Sequence, residues 1–211
     1  FWERVRVKSP RATRSPLYRQ AQIYARQGID LDRSTLAAWV GRAAFELRPV
    51  YDALRADLKR STKLFMDETV APVLDPGRKK TKTGYFWALA RDDRPWDGND
   101  PPGVAFTYAP GRAGENAKQI LTGFNGTLQV DGYAGYNRLL KRQEGAIRLA
   151  HCWAHARRKL FDVAKAGKAT PIADDGIAQV PALYRIEKEI RGNSPETRAT
   201  ARQERSKPVI D

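Results

Sequence analysis

Two aspartates stand at the ends of apolar, strand-like runs. Asp67 follows Leu64-Phe65-Met66, and Asp131 follows Leu128-Gln129-Val130 and precedes Gly132-Tyr133. A carboxylate in such a run is costly unless it is paired or binds a cation. Brought together on neighbouring strands, the two can share Mg²⁺ (or Mn²⁺). Two such ions, ~3.5–4 Å apart, clamp the attacking and leaving oxygens of a phosphodiester displacement. Mg²⁺ keeps several waters, so few protein ligands suffice. Taken singly, each residue has a plainer reading. Asp131 before Gly132 suits a turn, and Asp67 followed by Glu68 suits a solvated strand end.

Other residues with chemical spacing are weaker. His151, Cys152 and His155 are spaced for an open zinc site, but a strand-to-helix junction is the better reading. Arg157, Arg158 and Lys159 follow, and suit either a phosphate backbone or a solvated helix face. Arg78, Lys79, Lys80 and Lys82 form a basic turn close in sequence to Asp67. They suit sequence-independent, salt-sensitive phosphate contacts, or simply a charged hairpin loop. Trp87 and Trp153 read as core residues rather than base-stacking platforms.

The elements that must position these groups divide at about residue 60. Residues 1–16 are basic and broken by Pro10 and Pro16, an extended arm. LYRQAQIYARQG (17–28) has helical spacing, with Gly28 as a left-handed cap. A second helix over 33–58 follows Asp32 as N-cap, carries Leu36, Trp39, Val40 and Ala43 on one face, and is kinked or divided at Pro49. Helix, short turn, then a helix opening with Arg33, Ser34 and Thr35 is a helix-turn-helix pattern, in which those three residues face DNA. An ordinary helical hairpin has the same pattern.

From Lys63 the texture changes. KLFMDETVAPVL (63–74), YFWALARD (85–92) and GVAFTYAP (103–110) read as three strands, with the basic stretch 76–84 as the turn between the first two. RAGENAKQILTGF (112–124) reads as a helix, GTLQVDGYAG (126–135) as a fourth strand, IRLAHCWAH (147–155) as a fifth, and ARRKLFDVAKAG (156–167) as a helix. Residues 171–211 are helical and highly charged. The expected fold is therefore mixed α/β (α+β): a helix-turn-helix segment (1–60), a ribonuclease-H-like mixed sheet with flanking helices (61–170), and a charged helical insertion (171–211).

Composition narrows the partners. The chain has 211 residues, 41% hydrophobic and 29% charged, which is globular composition. Lys and Arg number 38 against 24 Asp and Glu, a net charge of +14, and nucleic acid is the commonest partner for such a surplus. Cys152 is the sole cysteine, which excludes an internal disulfide and fits a reducing cytoplasm. No run approaches the ~18 apolar residues of a membrane span.

Four stretches together resemble transposases of the insertion-sequence 66 (TnpC-type) family, members of the DDE group with a ribonuclease-H-like core. They are 19–44, 66–96 (beginning MDETVAPVLDPGRKK), VDGYAGYNRLL (130–140) and AHCWAHARRKLFD (150–162). The resemblance implies that Asp67 and Asp131 are the first two catalytic, metal-binding acids. The third, a Glu in an asparagine-asparagine-x-alanine-glutamate stretch, has no counterpart here and is expected beyond Asp211. Glu187 and Glu189 alternate with Arg185 and Lys188 and read instead as ion-paired surface residues. The expected whole enzyme binds double-stranded DNA at transposon ends as a homo-oligomer, hydrolyses it, and joins the freed 3′ ends to target DNA. The chain itself is expected to be an N-terminal and central portion without a complete active site. A two-metal nuclease of the resolvase or ribonuclease H kind, or a non-catalytic DNA-binding remnant, are the alternatives.

Overall fold

The computed structural model describes residues 17–75, 77, 80–96, 98–137, 146–166 and 170–211. The basic arm, Arg78 and Lys79 lie outside the described residues. The chain forms two compact units, Phe1–Leu54 and Arg55–Asp211.

In the first unit, α1 (Leu17–Arg26) ends as its glycine dictates. Gly28 has φ +79°, the Ile29 N–H donates to the Tyr24 carbonyl, and the Gly28 N–H to that of Ala25. This pair of bonds satisfies carbonyls that a helix end otherwise leaves orphaned. Asp32 caps α2 (Arg33–Glu46), accepting from the Ser34 N–H at 2.7 Å. The helix expected over 33–58, kinked or divided at Pro49, is divided, with the break at Leu47. Leu47 caps α2, and α3 (Arg48–Leu58) has Pro49 in its first turn, where a missing N–H costs nothing. The expected apolar face is also different. Leu36 is buried, but Trp39 and Val40 are more than half exposed.

The second unit is built on a five-stranded sheet of order β3-β2-β1-β4-β5. β1 (Lys63–Asp75), β2 (Lys80–Arg91) and β3 (Gly103–Ala109) form an antiparallel meander, and β4 (Gly126–Val130) and β5 (Ile147–His151) join parallel to β1 and to each other. This is the expected ribonuclease-H-like sheet, with first and fourth strands adjacent. α4 (Gly114–Leu121) makes the crossover from β3 to β4 and buries Ala117, Ile120 and Leu121. α5 (Trp153–Lys165) follows β5, and α6 (Pro171–Glu189) packs on it. α7 (Pro195–Ala201), a π-helical stretch (Arg202–Ser206) and α8 (Lys207–Ile210) complete the chain.

Three elements depart from expectation. β2 begins at Lys80 rather than Tyr85, so Lys80 and Lys82 are strand residues, not turn residues. Polar side chains do not prevent this, because the ladder to β1 runs unbroken from Phe65↔Ala90 to Asp75↔Lys80. The fourth strand stops at Val130 and the fifth at His151. Cys152 then occupies the N-cap of α5, and the helix starts three residues earlier than expected. Trp87 is core at 1% exposure, but Trp153, on the first turn of α5, is 44% exposed.

Candidate active site

β1 and β4 pair with Phe65 opposite Gln129. Two residues further along lie Asp67, within β1, and Asp131, one residue past the end of β4, so the parallel register carries the two carboxylates to the same neighbourhood. Burial foremost raises the pKa of Asp67, the charge of Asp131 adds to that, and the Glu68 N–H, His155 and Arg112 oppose it. Each carboxylate has one oxygen tied to backbone. Asp67 Oδ1 accepts from the Glu68 N–H at 2.9 Å, and Asp131 Oδ1 from the Tyr133 N–H at 2.8 Å. The second bond makes Asp131-Gly132-Tyr133 a tight turn, and Gly132 takes it at φ +91°.

Around this pair the structure adds groups that the sequence reading did not single out. Glu68 is not a solvated strand end. Successive strand residues point to opposite faces, so Glu68 turns inward with Leu64 and Met66, and its side chain is fully buried. Arg112, just ahead of α4, ion-pairs with Glu68 and also reaches Asp131 Oδ2 at 3.7 Å. The Tyr136 hydroxyl donates to the other Glu68 oxygen at 2.6 Å. Burial raises the Glu68 pKa, against the lowering effects of Tyr136 and Arg112. It also holds the Tyr136 phenol far above its ordinary range, with the Glu68 charge adding.

Tyr133 locks the loop. Its hydroxyl donates to the Arg112 carbonyl at 2.8 Å, and the Arg112 guanidinium lies 3.9 Å from its ring centre. Gly114 lets the two loops close, since a Cβ there would lie 2.6 Å from the Gly135 carbonyl oxygen. The result is an aspartate held by a fixed cation, which is itself fixed by a buried carboxylate.

The remaining candidates fall elsewhere. Lys80 pairs with Asp75, eight residues along β1 from Asp67, or about 27 Å at strand rise. Nearness in sequence therefore does not bring Lys80 to the carboxylates, and Lys82, opposite Val73, is also well down the hairpin. His151 ends β5, and His155 lies in the first turn of α5. Among the described residues no group of three His, Cys, Asp or Glu is placed to hold a metal ion. Arg157 and Arg158 are exposed on α5. Their neighbour Lys159 approaches the site: a Cβ built on Gly132 would lie 3.9 Å from its Nζ and 3.6 Å from His151 Nδ1. In the first unit, Arg33 is exposed, Thr35 is half-buried, and the Ser34 hydroxyl donates to Asp32. Glu187 binds Arg202 through two bonds of 2.7 and 2.8 Å, and Glu189 pairs with Arg205.

A mixed sheet of order β3-β2-β1-β4-β5 with a helical segment ahead of it is a ribonuclease-H-like arrangement. The family model described as "Transposase IS66 family" matches residues 11–211, and the chain belongs to that family. It is also similar to two proteins of Sinorhizobium fredii (strain NBRC 101917 / NGR234). With uncharacterized protein y4jD it shares 48% identity over 97% of this chain and 40% of that protein. With uncharacterized protein y4qI it shares 42% over 92% of this chain and 37% of that protein. The chain thus spans about two-fifths of the length of these relatives. Among the described residues no helix is long and apolar enough to cross a membrane.

Proposed function

We propose that Asp67 and Asp131 hold Mg²⁺ (or Mn²⁺) and act in metal-dependent cleavage and strand transfer of DNA at transposon ends. The observation that carries this is the β1–β4 register, which carries the two carboxylates to the same neighbourhood. Their donor set fits the metal. Both are hard oxygen ligands, and Mg²⁺ accepts one or two carboxylates with water completing its shell. When bound, the metal activates the attacking oxygen and stabilises the leaving one.

The chain's own residues do the rest. Tyr133 orients the Asp131 carboxylate through its N–H. Glu68 and Tyr136 fix Arg112, which offsets the mutual repulsion of the two aspartates before a cation arrives. Lys159, with Arg157 and Arg158, meets DNA phosphates beside the site, and Arg33 and Thr35 at the start of α2 meet them in the helix-turn-helix unit. The third acid of the group is neither Glu187 nor Glu189, whose carboxylates are held by arginines. The enzyme works on double-stranded DNA as a homo-oligomer assembled on the transposon ends.

Calorimetric titration with Mn²⁺ tests this on the wild-type chain and on Asp67→Asn and Asp131→Asn. The expected result is millimolar or tighter binding that either substitution abolishes. Binding indifferent to both, or absent from the wild type, overturns the reading.

A further inference from the structure

The face of the sheet that carries Asp67 continues across β2 and β3. Residues paired across antiparallel strands point the same way, and neither ladder contains a bulge. Asp67 is opposite Ala88, and Ala88 opposite Phe106. Thr69 is opposite Phe86, and Phe86 opposite Tyr108. Toward Lys63 this face is covered, since Phe65 is buried and stacks with Trp96. Toward the hairpin end its aromatic side chains are exposed, while the small residues between them, Ala71 and Ala88, are buried. Phe86, Phe106 and Tyr108 are 47, 52 and 43% exposed. Ala88 forms a low floor between Asp67 and Phe106, two strand spacings or about 10 Å apart. Gly84 gives Tyr108 its seat, since a Cβ there would lie 2.6 Å from Tyr108 Cε2. Tyr108 then meets Phe86 edge-on at 6.0 Å. Beyond the rings, the same face carries Lys82 and then Lys80, both exposed.

We propose that this open face is a stacking platform for unpaired bases of a DNA strand that runs from the carboxylate pair toward the hairpin, with Lys82 and Lys80 receiving its phosphates. Exposed aromatic rings followed by cations on one surface are the composition of a single-strand track, because every base offers a π-face and every nucleotide a negative charge. Lysines in line with the rings match a strand that alternates bases with phosphates, and an intact duplex keeps its bases from the rings. The proposal rests on the reading of Asp67 and Asp131 as the site of DNA cleavage, since that is where a strand would be opened.

Fluorescence anisotropy with a short labelled oligothymidylate and its duplex tests it. Phe86→Ala, Phe106→Ala and Tyr108→Ala are expected to weaken single-strand binding about fivefold or more each, while duplex binding stays near wild type. Tyr108→Phe, which keeps the ring, restores affinity. Lys80→Ala and Lys82→Ala each reduce the salt slope by about 0.7, which the ring substitutions leave alone. Circular dichroism and the thermal midpoint confirm that these surface variants are folded. Ring substitutions without effect on single-strand binding, an equal loss on duplex, or a change only in self-association would overturn the platform. Those outcomes leave the metal titrations of Asp67 and Asp131 untouched. Conversely, stacking that persists when metal binding fails retains the platform and removes the catalytic reading.

Discussion

Along β1 from Leu64 to Glu68, the side that carries Glu68 is sealed, while the side that carries Asp67 opens toward β3; beyond Glu68 the first side too is exposed, at Val70 and Leu74. The sealed side holds Leu64, Met66, Trp87 and Leu89 at 1% exposure or less, and Tyr136 meets Trp87 edge-on at 6.2 Å. The open side holds Thr69, Phe86, Phe106 and Tyr108, all exposed. Two neighbouring acids are thus put to opposite uses by a period of two residues. Glu68 is a structural anion with every partner supplied by the protein. Asp67 sits at the rim, half-buried, where a cation or substrate can reach it. The packed core and the proposed site are separated by the thickness of one sheet, so damage to one face need not damage the other.

The largest test of that division is truncation. Trp87→Ala should cost about 3–5 kcal/mol, the usual range for an aromatic removed from a core, while Phe106→Ala should stay within about 0.5 kcal/mol, as for ordinary surface sites. Urea denaturation of both variants gives the comparison directly. Equal losses would mean that the face carrying Phe106 is closed in solution.

Next comes the buried ion pair. Arg112→Ala leaves the Glu68 carboxylate uncompensated and should cost roughly 3 kcal/mol, the low end of the range for a broken buried pair because Arg112 is itself 40% exposed. In a Glu68→Gln background the same substitution should cost much less. A double-mutant cycle on these two residues without coupling would show that Glu68 does not hold Arg112.

A smaller effect is expected from pH. The pKa values of Glu68 and Asp67 are both raised on folding, chiefly by burial. The folded state then holds its protons more tightly than the unfolded state. The two acids therefore favour the fold below their unfolded pKa, and that contribution is lost as pH rises through their folded values. Thermal midpoints measured from the ordinary carboxylate range upward should carry this decline, and Glu68→Gln should flatten it.

The central features were legible in the sequence for physical reasons. Asp67 and Asp131 each interrupt an apolar run, and the order of elements places their strands side by side. Glu68 was within reach as well, since alternation along Leu64, Met66 and Glu68 points it inward; reading it as a strand end missed that. Arg112 had no such signal. It lies in a loop 44 residues from Glu68, and only the tertiary closure over Gly114 and Gly135 brings it home. The start of β2 was hidden because Lys80-Thr81-Lys82-Thr83 has no apolar alternation, and its strand character comes from backbone pairing with β1. The exposed Trp39 and Val40 show the reverse case, a helical stripe whose period is visible while its burial is not.

The strand register also sets an order of assembly. β1, β2 and β3 are consecutive and joined by short connections, so their pairing closes small loops and forms quickly. The contact that brings Asp67 near Asp131 spans more than sixty residues and must wait for β4 to be made and docked, at the higher entropic cost of a long loop. A chain leaving the ribosome, at about 5–20 residues per second, therefore passes through a stage in which the meander is complete and the carboxylate pair does not exist. The pairing of Asp67 with Asp131 is thus a late product of folding, while the meander that carries Asp67 is an early one.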